Sequence, residues 1–217
     1  MIANAAQNNP GTGFTDPVFQ SQAAFRAVLA ALAEPGTIHR LDTGFAGPEG
    51  LEPASAIVLL TLADFETPVW LDEPRRAGQA ALWLRFHATV PLVTIPEAAG
   101  FAVLSGACDA PRLDAFHPGT DLYPDRAATL LIECDALEGG EPVELSGPGI
   151  PDRRRISPKG LRAGFWDEIR ANHAHYPLGV DVVLVCGHAI MGLPRSSAAI
   201  SGAEALDSGR LSDGEVR

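Results

Sequence analysis

Basic side chains are scarce in this sequence and unevenly placed. Arg153, Arg154, Arg155, Lys159 and Arg162 gather five of the 16 basic residues between Asp152 and Arg162. Guanidinium forks grip phosphate and carboxylate oxygens bidentately. Arg153, Arg154 and Arg155 are therefore the candidates for contact with an anion or an acidic partner surface. Lys159 is the only lysine in the chain. Schiff-base chemistry needs an amine that can lose its proton, which a guanidinium cannot, so any such mechanism must run through Lys159. That lysine lies between Pro158 and Gly160, with no Ser-x-x-Lys phrase around it, and no pyridoxal phosphate is expected on it.

Other reactive types are thinner. His173 and His175 stand two apart, which on a helix turns them away from each other, and no neighbouring Cys or carboxylate completes a zinc set. His87, between Phe86 and Ala88, reads as a structural histidine, yet with Asp64 and Arg85 it could line the polar pocket of a stand-alone small-molecule transferase or lyase. Cys108, Cys134 and Cys186 form no CxxC pair, and an odd count offers no disulfide framework. The stretch Leu145-Ser146-Gly147-Pro148-Gly149-Ile150 follows an apolar run as a phosphate cradle would. Pro148 and Pro151 remove two N–H donors from it, so a tight turn is the better reading. No GxSxG, GxGxxG or GxxxxGK[ST] pattern occurs.

Charge excludes whole classes. Against 16 Lys and Arg stand 27 Asp and Glu, a formal net charge of −11. Such a surface repels a nucleic-acid backbone and an anionic membrane alike. The longest apolar run, Ala54 to Ala63, is far short of the ~20 residues that span a bilayer. Residues 1–13 carry neither a basic n-region nor an apolar h-region. A cytoplasmic protein is expected, without nucleic-acid or membrane partners.

The elements that must position these groups follow from spacing. Asp16-Pro17 opens a helix carrying Phe25, Val28, Leu29 and Leu32, which Pro35-Gly36 ends. Ile38–Leu41 and Val69–Leu71 read as short strands, as do Pro91–Ile95 and Phe101–Leu104. Ala54–Ala63 is helical and apolar all round, Arg75–His87 is a two-faced helix, and Ala110–Phe116 a turn and a half. Thr129–Cys134 and Pro142–Leu145 suggest a hairpin across Glu138-Gly139-Gly140. Leu161, Phe165 and Ile169 mark a helix ending near His173. Asp181–Cys186 is an apolar strand of the doubly covered kind, paired to Ile190–Leu193 across Gly187-His188-Ala189. Alternation of helices and strands without repeats or a linker gives one α/β domain, a mixed sheet covered by helices on both sides, in three layers. Residues 1–13 and 198–217 are expected to be disordered tails around a domain spanning 14–197.

Eight phrases in order carry a resemblance. They are Phe25-Arg26 with Pro35-Gly36, Leu59-Leu60-Thr61-Leu62-Ala63-Asp64, Thr67-Pro68-Val69-Trp70-Leu71, and Leu84-Arg85-Phe86-His87. Then come Pro91-Leu92-Val93, Leu145-Ser146-Gly147-Pro148-Gly149-Ile150, Pro177-Leu178-Gly179-Val180-Asp181 and Pro194-Arg195-Ser196. Together they resemble the PhnH family, whose members are components of the bacterial carbon–phosphorus lyase system for phosphonate breakdown. The resemblance implies a fold similar to the large domain of pyridoxal-phosphate-dependent transferases, without the cofactor. It implies a homodimer and an assembly with subunits G, I and J, with ATP and alkylphosphonate bound within that assembly. The assembly's first step transfers an alkylphosphonate to ribose C1′ of ATP with release of adenine, giving a ribose 1-phosphonate 5-triphosphate. The resemblance carries over no catalytic residue, and the role it implies is accessory. Ala54–Ala63 and Arg75–His87 carry more apolar surface than one sheet face can cover, so part of it, or of neighbouring elements, is expected to be buried between two copies.

Overall fold

The computed structural model describes residues 11–41, 44–107 and 110–200. Helix α1 (Pro17–Ala33) begins where its residues dictate: the Asp16 carboxylate accepts the Phe19 N–H, and Pro17 occupies the first turn. There follow β1 (Ile38–Arg40), α2 (Pro53–Leu62), β2 (Val69–Leu71), α3 (Glu73–Ala77), α4 (Gln79–His87), β3 (Leu92–Val93), β4 (Phe101–Ser105) and β5 (Thr129–Glu133). The chain continues through β6 (Val143–Ser146), β7 (Arg154–Ile156), α5 (Phe165–Ala174), β8 (Asp181–Cys186), β9 (Ala189–Leu193) and β10 (Ala198–Ile200).

Seven strands form one mixed sheet in the order β1-β9-β8-β5-β4-β2-β3. The run from β8 to β3 is parallel, and β9 is antiparallel to both β8 and β1. The central strands are continuous apolar runs because both faces are covered. Val69, Val103, Leu131 and Val183 pack under α1, α2 and α4 on one side. Ala102, Leu130, Ile132 and Leu184 pack on the other, under α5 and a second sheet of order β10-β6-β7. The molecule is therefore mixed α/β in three layers, as expected, but the outer layer on this second side joins one helix to a small sheet. At Gly192 the sheet and α1 touch: a β-carbon there would lie 2.2 Å from the Ala31 carbonyl oxygen.

Several boundaries differ from the sequence expectations, each for a physical reason. Thr129–Cys134 and Pro142–Leu145 form no hairpin. The doubly apolar β5 belongs in the centre of the main sheet, whereas β6 alternates inward Val143 and Leu145 with Glu144 and Ser146 and needs only one covered face. Arg75–His87 is two helices, because Asp72 caps a start at Glu73 and the extended Gly78 breaks the run. The Asp152–Arg162 stretch is not a plain loop but contains β7. Ala198–Ile200 pairs with β6 instead of opening a tail. At the other end, Thr12 accepts a hydrogen bond from Trp83 Nε1, so the expected tail is docked by that point. Residues 1–10 and 201–217 lie outside the described residues. Finally, α2 is largely enclosed within a single chain, with six of its residues buried beneath α1, α4 and the sheet, so most of its apolar surface is covered without a second copy.

Candidate functional site

Helix α5 carries a carboxylate on its apolar face. Phe165, Glu168 and Ile169 share the buried i, i+3, i+4 stripe, and Glu168 is only 5% exposed. It survives there because its oxygens are all engaged. Arg162 donates to it through Nε at 3.1 Å and through a terminal nitrogen at 2.7 Å, and the Leu113 N–H donates at 2.9 Å. Burial pushes the Glu168 carboxyl up. The Arg162 hydrogen bonds, the Leu113 N–H and the charges of Arg162 and Arg112 outweigh that and hold it below the ordinary carboxylate range. Arg162 also reaches the Pro111 carbonyl oxygen at 3.4 Å, so the pair ties α5 to the segment before Leu113.

Between α5 and that segment lies a cavity of about 200 Å³. Leu113, Phe116, Pro118 and Val180 make its walls mostly apolar, while Arg112 and His175 stand at its edge. Asn172 also borders it but is spent on the Val180 backbone, bonded at 2.8 and 2.9 Å. A concave apolar space beside a few convergent polar groups and a shifted carboxylate is the usual form of a small-molecule site.

A second ionic network sits at the carboxyl ends of the parallel strands, where ligands of open α/β sheets generally bind. Arg75 pairs with Asp72 and Glu133, and its Nε donates to the Gly50 carbonyl oxygen. Glu133 accepts the Glu52 N–H at 2.8 Å, and Glu52 accepts the Gly187 N–H at 2.9 Å. The chain of contacts closes the loops over the start of α2. An open crevice lined by Glu49, Asp72, Arg75, Gln79 and Ser105 adjoins it.

The residues singled out from the sequence fall elsewhere and apart. Arg153 is ion-paired with Glu144 at 2.9 Å. Arg154 donates to the Glu34 and Pro35 carbonyl oxygens at 3.2 and 2.6 Å, closing the end of α1. Arg155 alone of the three borders a cavity, with Thr37, Glu138 and Ser157. The exposed Lys159 holds an isolated bridge to Ala136. Asp64 is exposed and bonds its own turn through the Glu66 N–H and the Thr67 hydroxyl. Arg85 is exposed, and His87 packs on Trp83 and Phe86 with a 3.2 Å contact to the Gly11 carbonyl oxygen. None of Asp64, Arg85 and His87 lines the cavity under α5 or the crevice beside Arg75. His173 meets the Arg195 carbonyl oxygen at 3.1 Å. The glycine-rich stretch is a turn packed on α1, where a β-carbon at Gly149 would fall 2.0 Å from the Ala33 carbonyl oxygen. Two of the resemblance phrases do meet: Asp181 accepts from the Arg195 backbone N–H at 2.9 Å and from its guanidinium at 2.6 and 3.1 Å.

Cys134 and Cys186 end adjacent strands one step beyond the Glu133–Val185 register pair. Burial pushes the Cys134 thiol up to about 12, with Cys186 adding to the shift, so it is inert. Cys108 lies outside the described residues. Among the described residues, no three of His, Cys, Asp and Glu gather as a metal set, and no helix is long and apolar enough to cross a membrane.

Comparison with known proteins agrees over nearly the whole described length. The family model for the bacterial phosphonate metabolism protein PhnH matches residues 12–199. The chain is 42% identical over 184 residues to the PhnH subunit of α-D-ribose 1-methylphosphonate 5-triphosphate synthase from Rhizobium meliloti (strain 1021), covering 85% of this chain and 92% of that protein. It is 31% identical over 181 residues to HtxG of Stutzerimonas stutzeri, whose name assigns it to a C-P lyase; the match covers 82% of this chain and 85% of that one.

Proposed function

The chain belongs to the PhnH family of bacterial phosphonate metabolism, and on that premise we propose that it serves as the PhnH component of a carbon–phosphorus lyase system. In this role it takes part in transferring an alkylphosphonate to ribose C1′ of ATP with release of adenine. The observation that carries the reading is extent: 92% of the Rhizobium protein is matched at 42% identity, leaving no room for a large unmatched domain in it. The role is accessory. Glu168, the buried carboxylate of the cavity, is ionised and saturated by Arg162 and the Leu113 N–H, which suits an anchor better than a proton donor. Subunits G, I and J are its partners, and the assembly works in the cytoplasm, where ATP is available.

The same reading includes self-association and a fold akin to the large domain of pyridoxal-phosphate-dependent transferases with the cofactor lost. Five parallel strands between layers support the second point. With α2 largely enclosed, the apolar surface we assign to a second copy is on α1, where Val18, Phe19, Phe25 and Leu29 are 75, 70, 50 and 56% exposed along one helix. Pyridoxal phosphate has no place in the reading, since the lone lysine is an exposed bridge residue. Visible absorption on adding pyridoxal phosphate, abolished by Lys159→Ala, would reverse that.

The test is adenine release from ATP and methylphosphonate. The expected result is release by the four proteins together, none by this chain alone and none when it is omitted. Turnover by the isolated chain would overturn the accessory role, and full turnover without it would overturn the functional reading.

A further inference from the structure

The cavity under α5 differs from the other polar clusters in what it leaves unspent. Arg112 stands at its mouth with a side chain 63% exposed. Its only ionic contacts among the described residues are 3.5 Å to Asp114 and 3.9 Å to Glu168, both too long for good hydrogen bonds. Its guanidinium fork therefore remains open. His175 Nδ1 is occupied by the Ala171 carbonyl oxygen at 2.7 Å, and Nε2 is uncommitted among the described residues. Glu168 adds little negative field of its own, since Arg162 neutralises it from behind at 2.7 Å. Behind the open guanidinium and the open Nε2 lie Leu113, Phe116, Pro118 and Val180.

We propose that this cavity binds a small organic oxyanion, its alkyl group on the apolar walls and its oxygens bridging Arg112 and His175. Resting on the functional reading above, that ligand is a short-chain alkylphosphonate. The chemistry fits at both ends. A planar guanidinium takes two oxygens of one head group side by side, and Nε2 of His175, whose ring proton is held on Nδ1 by the Ala171 carbonyl oxygen, accepts the hydroxyl of a monoanionic phosphonate. The volume of about 200 Å³ is below the range typical of drug-sized ligands, which suits a molecule of a few heavy atoms. Each alkyl carbon buried should strengthen binding roughly fourfold, the equivalent of one methylene transferred from water. A nucleoside triphosphate is too large for this space, so its binding falls to another surface of the assembly.

Calorimetric titration of the isolated chain tests this with ethylphosphonate, inorganic phosphate and propionate, and amide chemical shifts locate the site at Leu113 and Ala171. Saturable binding of ethylphosphonate, roughly tenfold weaker binding of phosphate and weaker binding of propionate are expected. Arg112→Gln and His175→Ala should each weaken ethylphosphonate binding, the arginine change by at least about tenfold, with melting temperatures lowered by no more than about 4 °C. Equal affinity for phosphate and ethylphosphonate would show that the apolar walls are not used and would overturn the proposal. So would equal affinity for propionate, wild-type affinity in Arg112→Gln, or no saturable binding. Any of these, beside adenine release that depends on this chain, overturns only the site. Full adenine release with this chain omitted overturns the functional reading instead, while calorimetry still decides the site.

Discussion

Two ion networks, a half-buried one at the carboxyl edge of the sheet and one around the buried Glu168 under α5, use the same residue types to different ends. Around Arg75 the fork is consumed: one arm meets Asp72, the other Glu133, and Nε meets the Gly50 carbonyl oxygen. Glu133 and Glu52 in turn each receive a backbone N–H. No guanidinium besides the engaged Arg75 lines the crevice, although strand topology would nominate that edge as the ligand site. Under α5 the work is divided between two arginines. Arg162 satisfies the carboxylate from within, and Arg112 stays open at the surface. Position in the fold nominates a site, but uncommitted donors beside an apolar wall are what make it able to bind.

The comparison can be broken by mutation. Glu168→Ala leaves Arg162 buried without its counter-charge and should cost roughly 3–5 kcal/mol in chemical denaturation, the largest effect among these changes. Arg75→Ala should cost less, about 1–3 kcal/mol, because Glu133 keeps its hydrogen bond from the Glu52 N–H. Equal losses would mean that the two networks are alike in energy and that the division of labour carries no weight. Acid sharpens the contrast. The Glu168 carboxyl is held below its ordinary 4.5, so the stability it lends is complete above that value and is lost as pH falls through the lower, folded-state value. Below about pH 4.5 the melting temperature of wild type should fall more steeply than that of Glu168→Gln, and parallel curves would contradict the assignment. Arg112→Gln should have the smallest effect, under about 1 kcal/mol of stability, as expected for an exposed pair. A larger loss would turn Arg112 into a structural partner of Glu168 and erase the difference between the two arginines.

Much of the fold was legible in the sequence. Capping at Asp16, the doubly apolar β8 and the turn at Gly187 all pointed to what they form, because each signal is local. The false hairpin shows the limit: turn chemistry at Gly139-Gly140 is real, but which strands pair is decided by how many faces each must bury. The site was less legible, since the densest basic run points elsewhere. Arg153 and Arg154 are occupied by Glu144 and the end of α1, and of that run Arg162 alone bonds the cavity's carboxylate, Glu168. A usable signal was present in Glu168, a carboxylate between Phe165 and Ile169 on an apolar helical face. Its partners could not be read, because Arg112 reaches it only through the tertiary fold.

The exposed face of α1 also governs how these molecules behave in concentrated solution. The helix contains no Asp or Glu, although the chain holds 27 of them. Each separate chain thus combines long-range repulsion from its net charge of −11 with a short-range adhesive patch at Phe19, Phe25 and Leu29, the face offered to a second copy. Repulsion reaches about 10 Å at 0.1 M salt and contracts to about 3 Å at 1 M, whereas apolar adhesion does not weaken with salt. Added salt therefore moves the second virial coefficient from positive toward negative, and the protein is best kept dispersed in dilute buffer.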